Sequence, residues 1–174
     1  MLILICGFMG AGKTTFLKAL QSENDIQTNY LDLDQVIFEK YGAGKQDLAQ
    51  VIEDLGFEKF REIEMATLKI IAKSCSSTSD TFISLGGGAV TDELIDFKNK
   101  NSNCFLAWLN TPLETCLERI EGDDSRPLAL RGAKYLKELY EKREKYYQMA
   151  DICLYASSKD MVWTVKSLKE RLLS

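Results

Sequence analysis

A chain of 174 residues that contains no histidine has no Ser-His or Cys-His nucleophile pair and no His-ligated zinc or iron. Catalysis is left to carboxylates, Lys, Arg, backbone dipoles or a hard metal. The net charge of −4 argues against a protein that coats nucleic acid or an anionic membrane, and no stretch approaches the ~20 apolar residues of a membrane span.

At this length roughly 70% of the unfolded surface becomes buried on folding, enough for one domain over 1–174 without a disulfide or metal staple. Short apolar runs alternate with segments of helical period, the pattern of an α/β domain with a mostly parallel sheet. The apolar start, Met1 to Ala11, has no positively charged flank and runs straight into Gly12-Lys13-Thr14, so it reads as a buried first strand over Leu2–Cys6. Further strands are expected at Asn29–Leu33, Thr81–Leu85, Cys104–Leu109 and Ile152–Tyr155. Helices are expected at about 13–22, 34–41, 46–54, 57–74, 92–98, 112–120, 133–149 and 159–172. Between them, Ser74–Asp80 reads as a surface connection. Glu121–Gly132 is the one long irregular segment of the second half, a candidate lid. Five cysteines, Cys6, Cys75, Cys104, Cys116 and Cys153, form no CxxC pair and read as reduced thiols of a cytoplasmic protein.

Gly7-Phe8-Met9-Gly10-Ala11-Gly12-Lys13-Thr14 fits GxxxxGK[ST], with an apolar strand before it and a helical stretch after it. Glycines allow close backbone approach, so successive N–H groups and the helix N-terminus cradle a phosphate. Lys13 supplies a cation to the β- and γ-phosphates, and the Thr14 hydroxyl can complete a Mg²⁺ shell. Gly10, Ala11, Gly12, Lys13 and Thr14 of the motif, with Thr15 after it, are the expected ATP-binding residues. No NKxD base-recognition motif accompanies it, which disfavours a GTP switch.

A second constellation lies nearby. Asp32 and Asp34 end the second expected strand, and residues two apart in a strand point to the same side. One carboxylate could then meet Mg²⁺ through water and the other a substrate hydroxyl, although Asp34 would also serve as a helix N-cap. The helix at 57–74 carries an apolar stripe through Phe57, Phe60, Leu68 and Ile71 with Arg61 and Glu64 on it. The helix at 133–149 carries Leu136, Leu139, Tyr140, Tyr147 and Ala150 with Arg143 in the middle. A charged Arg on a core-facing stripe needs a partner or a polar cavity; an Arg61–Glu64 ion pair is the plainer reading, and an anionic substrate pocket is the reading favoured by two such arginines. Gly86-Gly87-Gly88 lets a small molecule approach the backbone, and Arg126 in the candidate lid could close over the γ-phosphate.

Taken together, GFMGAGKT at 7–14, Asp32 and Asp34, FREIE at 60–64, SLGGGAV at 84–90, SRPL at 125–128 and KREKYY at 142–147 resemble the shikimate kinase family from residue 2 to about 172. The resemblance implies a three-layer α/β/α P-loop kinase fold of the nucleoside-monophosphate-kinase type. Its five-stranded parallel sheet would run in order 2-3-1-4-5, with a lid at about 121–132 and a substrate-binding helical region at about 34–64. It implies ATP-dependent phosphorylation of the 3-hydroxyl of shikimate, on the route to chorismate and the aromatic amino acids, by a monomer using Mg²⁺, with shikimate and ATP as its only partners. Asp34 would orient the attacking hydroxyl, with Lys13 and Arg126 as the other catalytic groups. Arg61 and Arg143 would bind the shikimate carboxylate, Gly86, Gly87 and Gly88 would contact the ring, and Arg119 would stack on adenine. Thr14, and Asp32 through water, would hold the metal. The chain departs from the family pattern at Gly56-Phe57, where members carry Gly-Glu, at Leu33 between the two aspartates, and at Ala129, where RPLL is usual. Another P-loop kinase, for gluconate or a nucleoside monophosphate, and a non-catalytic ATP-binding regulator are the competing readings.

Overall fold

The computed structural model describes residues 1–22, 27–75, 79–122, 128, 131–155 and 164–173. The order of elements is β1 (Leu2–Cys6), α1 (Lys13–Gln21), β2 (Thr28–Asp32), α2 (Leu33–Tyr41), α3 (Leu48–Leu55), α4 (Phe57–Ser74), β3 (Asp80–Ser84), α5 (Asp92–Asn99), β4 (Cys104–Asn110), α6 (Leu113–Ile120), α7 (Gly132–Tyr147), β5 (Ile152–Tyr155) and α8 (Val165–Leu173). The five strands form one sheet in the order β2-β3-β1-β4-β5, and every neighbouring pair is parallel.

A central parallel strand is covered on both faces, which is why β1 reads as an unbroken apolar run. Its side chains alternate between two cores. Leu2, Leu4 and Cys6 join Ile83, Leu106 and Trp108 under Phe60 and Leu68 of α4, Leu94 and Ile95 of α5, and Leu136 and Tyr147 of α7. Ile3 and Ile5 join Phe82, Ala107 and Leu154 under Leu17 and Leu20 of α1 and Val165 and Leu168 of α8. The result is three layers, α/β/α.

β1 feeds α1 toward β2 on one side, while β4 lies on the other. The carboxyl ends of β1, β3 and β4 therefore open a crevice at the point where strand order reverses, the usual ligand position in open α/β sheets.

The structure revises several expectations. β2 ends at Asp32 and Leu33 begins α2, so Asp32 and Asp34 do not share one side of a strand. Leu33 is 1% exposed, and burying it at the first helical position turns the chain a residue early. Asp32 then takes the N-cap role, accepting the Asp34 N–H at 3.2 Å. Phe57 does not belong to the α4 stripe; it is 49% exposed at the first position of that helix, before the chain has turned its apolar face inward. α7 stops at Tyr147, which leaves Ala150 outside it. All five cysteines are free. The candidate lid falls largely among residues 123–127, 129 and 130, and Arg126 with it, outside the described residues.

Candidate active site

The phosphate loop spans the gap between β1 and α1. Gly12 adopts φ 94° and Gly10 φ 79°, and a side-chain carbon at Gly10 would overlap the Cys116 carbonyl oxygen; only glycine serves at such a position. α1 has no side-chain cap and no acidic residue in its first turn, so its positive dipole end suits an anion. Two struts from beyond β4 brace the loop: the buried Thr111 hydroxyl donates to the Ala11 carbonyl at 2.8 Å, and Arg119 Nη1 donates to Gly10 O at 3.1 Å and Ala11 O at 3.4 Å. Phe8, 1% exposed, meets the Tyr140 ring edge-on at 5.4 Å. Lys13 Nζ donates to Gly7 O at 3.0 Å and Phe8 O at 3.1 Å, which keeps its charge over the loop. Thr15 is exposed on the first turn of α1.

Beside the loop, the Thr14 hydroxyl donates to Asp32 Oδ2 at 3.0 Å. One hydroxyl and one carboxylate at the lip of a phosphate loop are the hard oxygen donors that Mg²⁺ takes from proteins when phosphates supply further ligands. Among the described residues no three acidic, Cys or His side chains cluster as a metal cage.

A second cluster is built on Gly86–Gly88, the turn that follows β3. A side-chain carbon at Gly86 would lie 2.8 Å from Glu64 Oε1 and 2.9 Å from Asp34 Oδ1. One at Gly87 would lie 3.3 Å from the Met9 amide nitrogen and 3.6 Å from Arg143 Nη1. At Gly88 it would overlap the Arg61 guanidinium and come within 2.6 Å of Arg143 Nη2. The absence of side chains thus lets α2, α4 and α7 deliver Asp34, Arg61, Glu64 and Arg143 to one stretch of backbone, next to the phosphate loop. A cleft of about 560 Å³ lined by Thr14, Asp32, Asp34 and Phe38 opens on one flank. A second of about 280 Å³ lined by Arg61, Glu64, Ala89 and Thr91 opens on the other.

Charge in this cluster is uneven. Arg61 Nη1 pairs with Glu64 Oε2, so the plainer reading of that stripe holds in part. Glu64 is 3% exposed, and among the described residues its Oε1 has no hydrogen-bond partner. Burial pushes its carboxyl up to about 7, against the opposing pull of the Arg61 charge. Arg143 is held below its ordinary pKa, chiefly by burial and also by the like charge of Arg61. Its guanidinium lies 5.9 Å from the Phe8 ring centroid, and among the described residues it makes no ion pair. A buried guanidinium, a second partly exposed one and a carboxyl driven toward its neutral form make a corner that suits an anion.

Sequence reasoning assigned Asp34, Arg61, Arg143 and the glycine turn to one site, and the structure brings all of them together with the phosphate loop. Arg119 sits against loop carbonyls. Thr111, the buried state of Glu64 and the bond made by Tyr147 escaped notice. A threonine just past a strand end and a tyrosine on a core stripe carry no signature of their own.

A family profile described as shikimate kinase matches residues 9–172. The chain belongs to the shikimate kinase family. A shikimate kinase of Persephonella marina is 34% identical over 170 residues, covering 98% of both chains. Among solved structures, the shikimate kinase of Bacteroides thetaiotaomicron superposes with a TM-score of 0.75 at 27% identity, over 99% of this chain and 96% of that one. That of Aquifex aeolicus gives 0.73 at 28% identity, over 99% and 95%. The shikimate kinase match begins inside the phosphate loop and runs into α8, so it spans every element that contributes a side chain to the cluster on Gly86–Gly88.

Proposed function

We propose that this kinase transfers the γ-phosphoryl group of ATP to the 3-hydroxyl of shikimate, with the acceptor seated on Gly86–Gly88 and its carboxylate between Arg61 and Arg143. The observation that carries this reading is the convergence of both guanidiniums and Asp34 on that turn. A carboxylate-bearing polyol needs a cationic end and an acceptor for its reacting hydroxyl, which a nucleoside-monophosphate acceptor does not call for; gluconate shares both features, and family membership is what favours shikimate over it.

In the reaction the 3-hydroxyl oxygen bonds to the γ-phosphorus as the bond to the β,γ-bridging oxygen breaks, giving shikimate 3-phosphate and ADP. In a loose transition state the hydroxyl proton leaves late, so Asp34 first orients the hydroxyl as a hydrogen-bond acceptor and then receives its proton. Lys13 and the loop N–H groups hold the β- and γ-phosphates. Arg126 in the segment 121–132 is assigned to the γ-phosphate and Arg119 to the adenine. Mg²⁺, held by Thr14 and through water by Asp32, would supply charge neutralisation on the phosphates. We place the enzyme in the cytoplasm as a monomer whose partners are its two substrates alone. Free cysteines suit a reducing compartment, the net charge of −4 does not suit nucleic acid, and among the described residues no helix is long and apolar enough to cross a membrane; sedimentation velocity tests the monomer.

A coupled ADP-release assay with shikimate, gluconate and nucleoside monophosphates side by side tests the substrate. Release that depends on shikimate alone is expected. Release with another acceptor reassigns the enzyme to a sibling kinase, and none with any acceptor makes the chain a regulator.

A further inference from the structure

Three consecutive glycines form the floor of the acceptor site, yet they are the residues with most backbone freedom to lose and no side chains with which to anchor themselves. One internal bond closes the turn, from Ala89 N to Gly86 O at 3.0 Å. The middle carbonyl is held from outside. Tyr147 Oη donates to Gly87 O at 2.6 Å, and the ring that carries it is 1% exposed, packed 6.0 Å from the Trp108 ring. Tyr147 stands one helical turn after Arg143, so the two share a face of α7. The same helix therefore supplies a guanidinium beside Gly87 and Gly88 and a hydroxyl that grips the peptide linking them. Because that peptide is trans and planar, fixing the Gly87 carbonyl also fixes the Gly88 N–H, which points the opposite way, away from the buried ring.

We infer that Tyr147 is a positioning residue for the phosphoryl acceptor: its buried hydroxyl locks the Gly86–Gly88 turn to α7, so that the glycine backbone and the Arg143 guanidinium present one rigid surface. This rests on the proposed function for the identity of the acceptor. Tyr147 does not touch the reacting atoms; it acts through Gly87 and through Arg143, which its hydroxyl also contacts. A phenylalanine in its place keeps the ring and its packing on Trp108 and removes the hydroxyl, and with it both the bond to Gly87 O and the contact with the Arg143 guanidinium. A lost hydrogen bond of ordinary strength corresponds to about a fivefold change in an equilibrium, and a buried acceptor left unpaired to more.

The test compares Tyr147→Phe with Tyr146→Phe, which removes from the same helix a hydroxyl that donates to Asp92 and not to the glycine turn. For Tyr147→Phe the shikimate KM should rise about fivefold or more while the ATP KM and kcat stay within about twofold of the parent. Tyr146→Phe should leave all three near parent values. Amide hydrogen exchange over residues 85–90, measured without ligands, should quicken in Tyr147→Phe alone. Unchanged exchange, an unchanged shikimate KM, or equal effects from both variants would overturn the inference. If the parent releases no ADP with shikimate while exchange quickens in Tyr147→Phe, the functional reading fails and the lock on the turn stands.

Discussion

Glu64 is the group whose replacement separates burial from charge pairing in this site. Its carboxyl titrates at about 7 in the folded chain against an ordinary 4.5, because burial outweighs the Arg61 charge. Between those two values the folded state holds a proton that the unfolded state has released, so stability falls as pH rises through this window and levels off above about 7. At roughly 1.4 kcal/mol per pH unit the loss comes to about 3 kcal/mol. For a chain of this size that is about 9 °C in Tm, at roughly 3 °C per kcal/mol. Glu64→Gln cannot titrate and escapes the loss. The two proteins are melted by circular dichroism at steps from pH 4.5 to 8. Whatever offset the lost Arg61 pair creates at pH 4.5, the variant's Tm should gain about 9 °C on the parent by pH 8. Parallel curves, with the gap constant across the series, would refute the assignment of a buried, proton-holding carboxyl.

Other substitutions report on separate parts of the machinery. Asp34→Asn keeps ATP binding and loses most turnover, a drop of about 10²-fold or more expected of a positioned proton acceptor; a rate within about tenfold of the parent would remove Asp34 from that role. Arg143→Ala weakens shikimate binding by about 10-fold or more with the ATP dissociation constant little changed, read by titrating each ligand separately. Thr111→Val, nearly isosteric, removes the donor to Ala11 O and should raise the ATP KM about fivefold with the shikimate KM unchanged.

What the sequence made legible was set by how local the signal is. The eight residues Gly7–Thr14 carry their own geometry, and the three-layer order follows from a strand such as Leu2–Cys6 that is apolar at every position. Boundaries were less accessible. Asp32 and Asp34 have the same spacing in a strand or across a helix cap, and only the burial of Leu33 decides between them. Phe57 matched the period of α4 and still points to solvent, because periodicity does not say where a helix first meets the core. Arg61 and Arg143 were visible as charges on apolar stripes. Their meeting at Gly88 depends on α4 and α7 approaching across the carboxyl edge of the sheet, a relation between residues more than eighty positions apart that no window of sequence contains.

The same geometry explains how an acidic chain presents a cationic corner. A guanidinium in bulk solvent gains little from an anion, because water already screens and solvates both. Arg143 is instead packed on the Phe8 ring and pressed toward Arg61, conditions that burial and like charge make unfavourable for it alone. Glu64 relieves this only in part, since its own burial drives it toward the neutral form near pH 7. On the proposed function, a substrate carboxylate entering between the arginines would meet that deficit, so crowding two cations against bare backbone would favour its binding. Net charge, a surface property, is uninformative about it. The three glycines are the residues that make such crowding sterically possible, and on this argument Gly88→Ala should abolish acceptor binding while leaving the phosphate loop able to take ATP, a split that paired titrations with the two ligands would read directly.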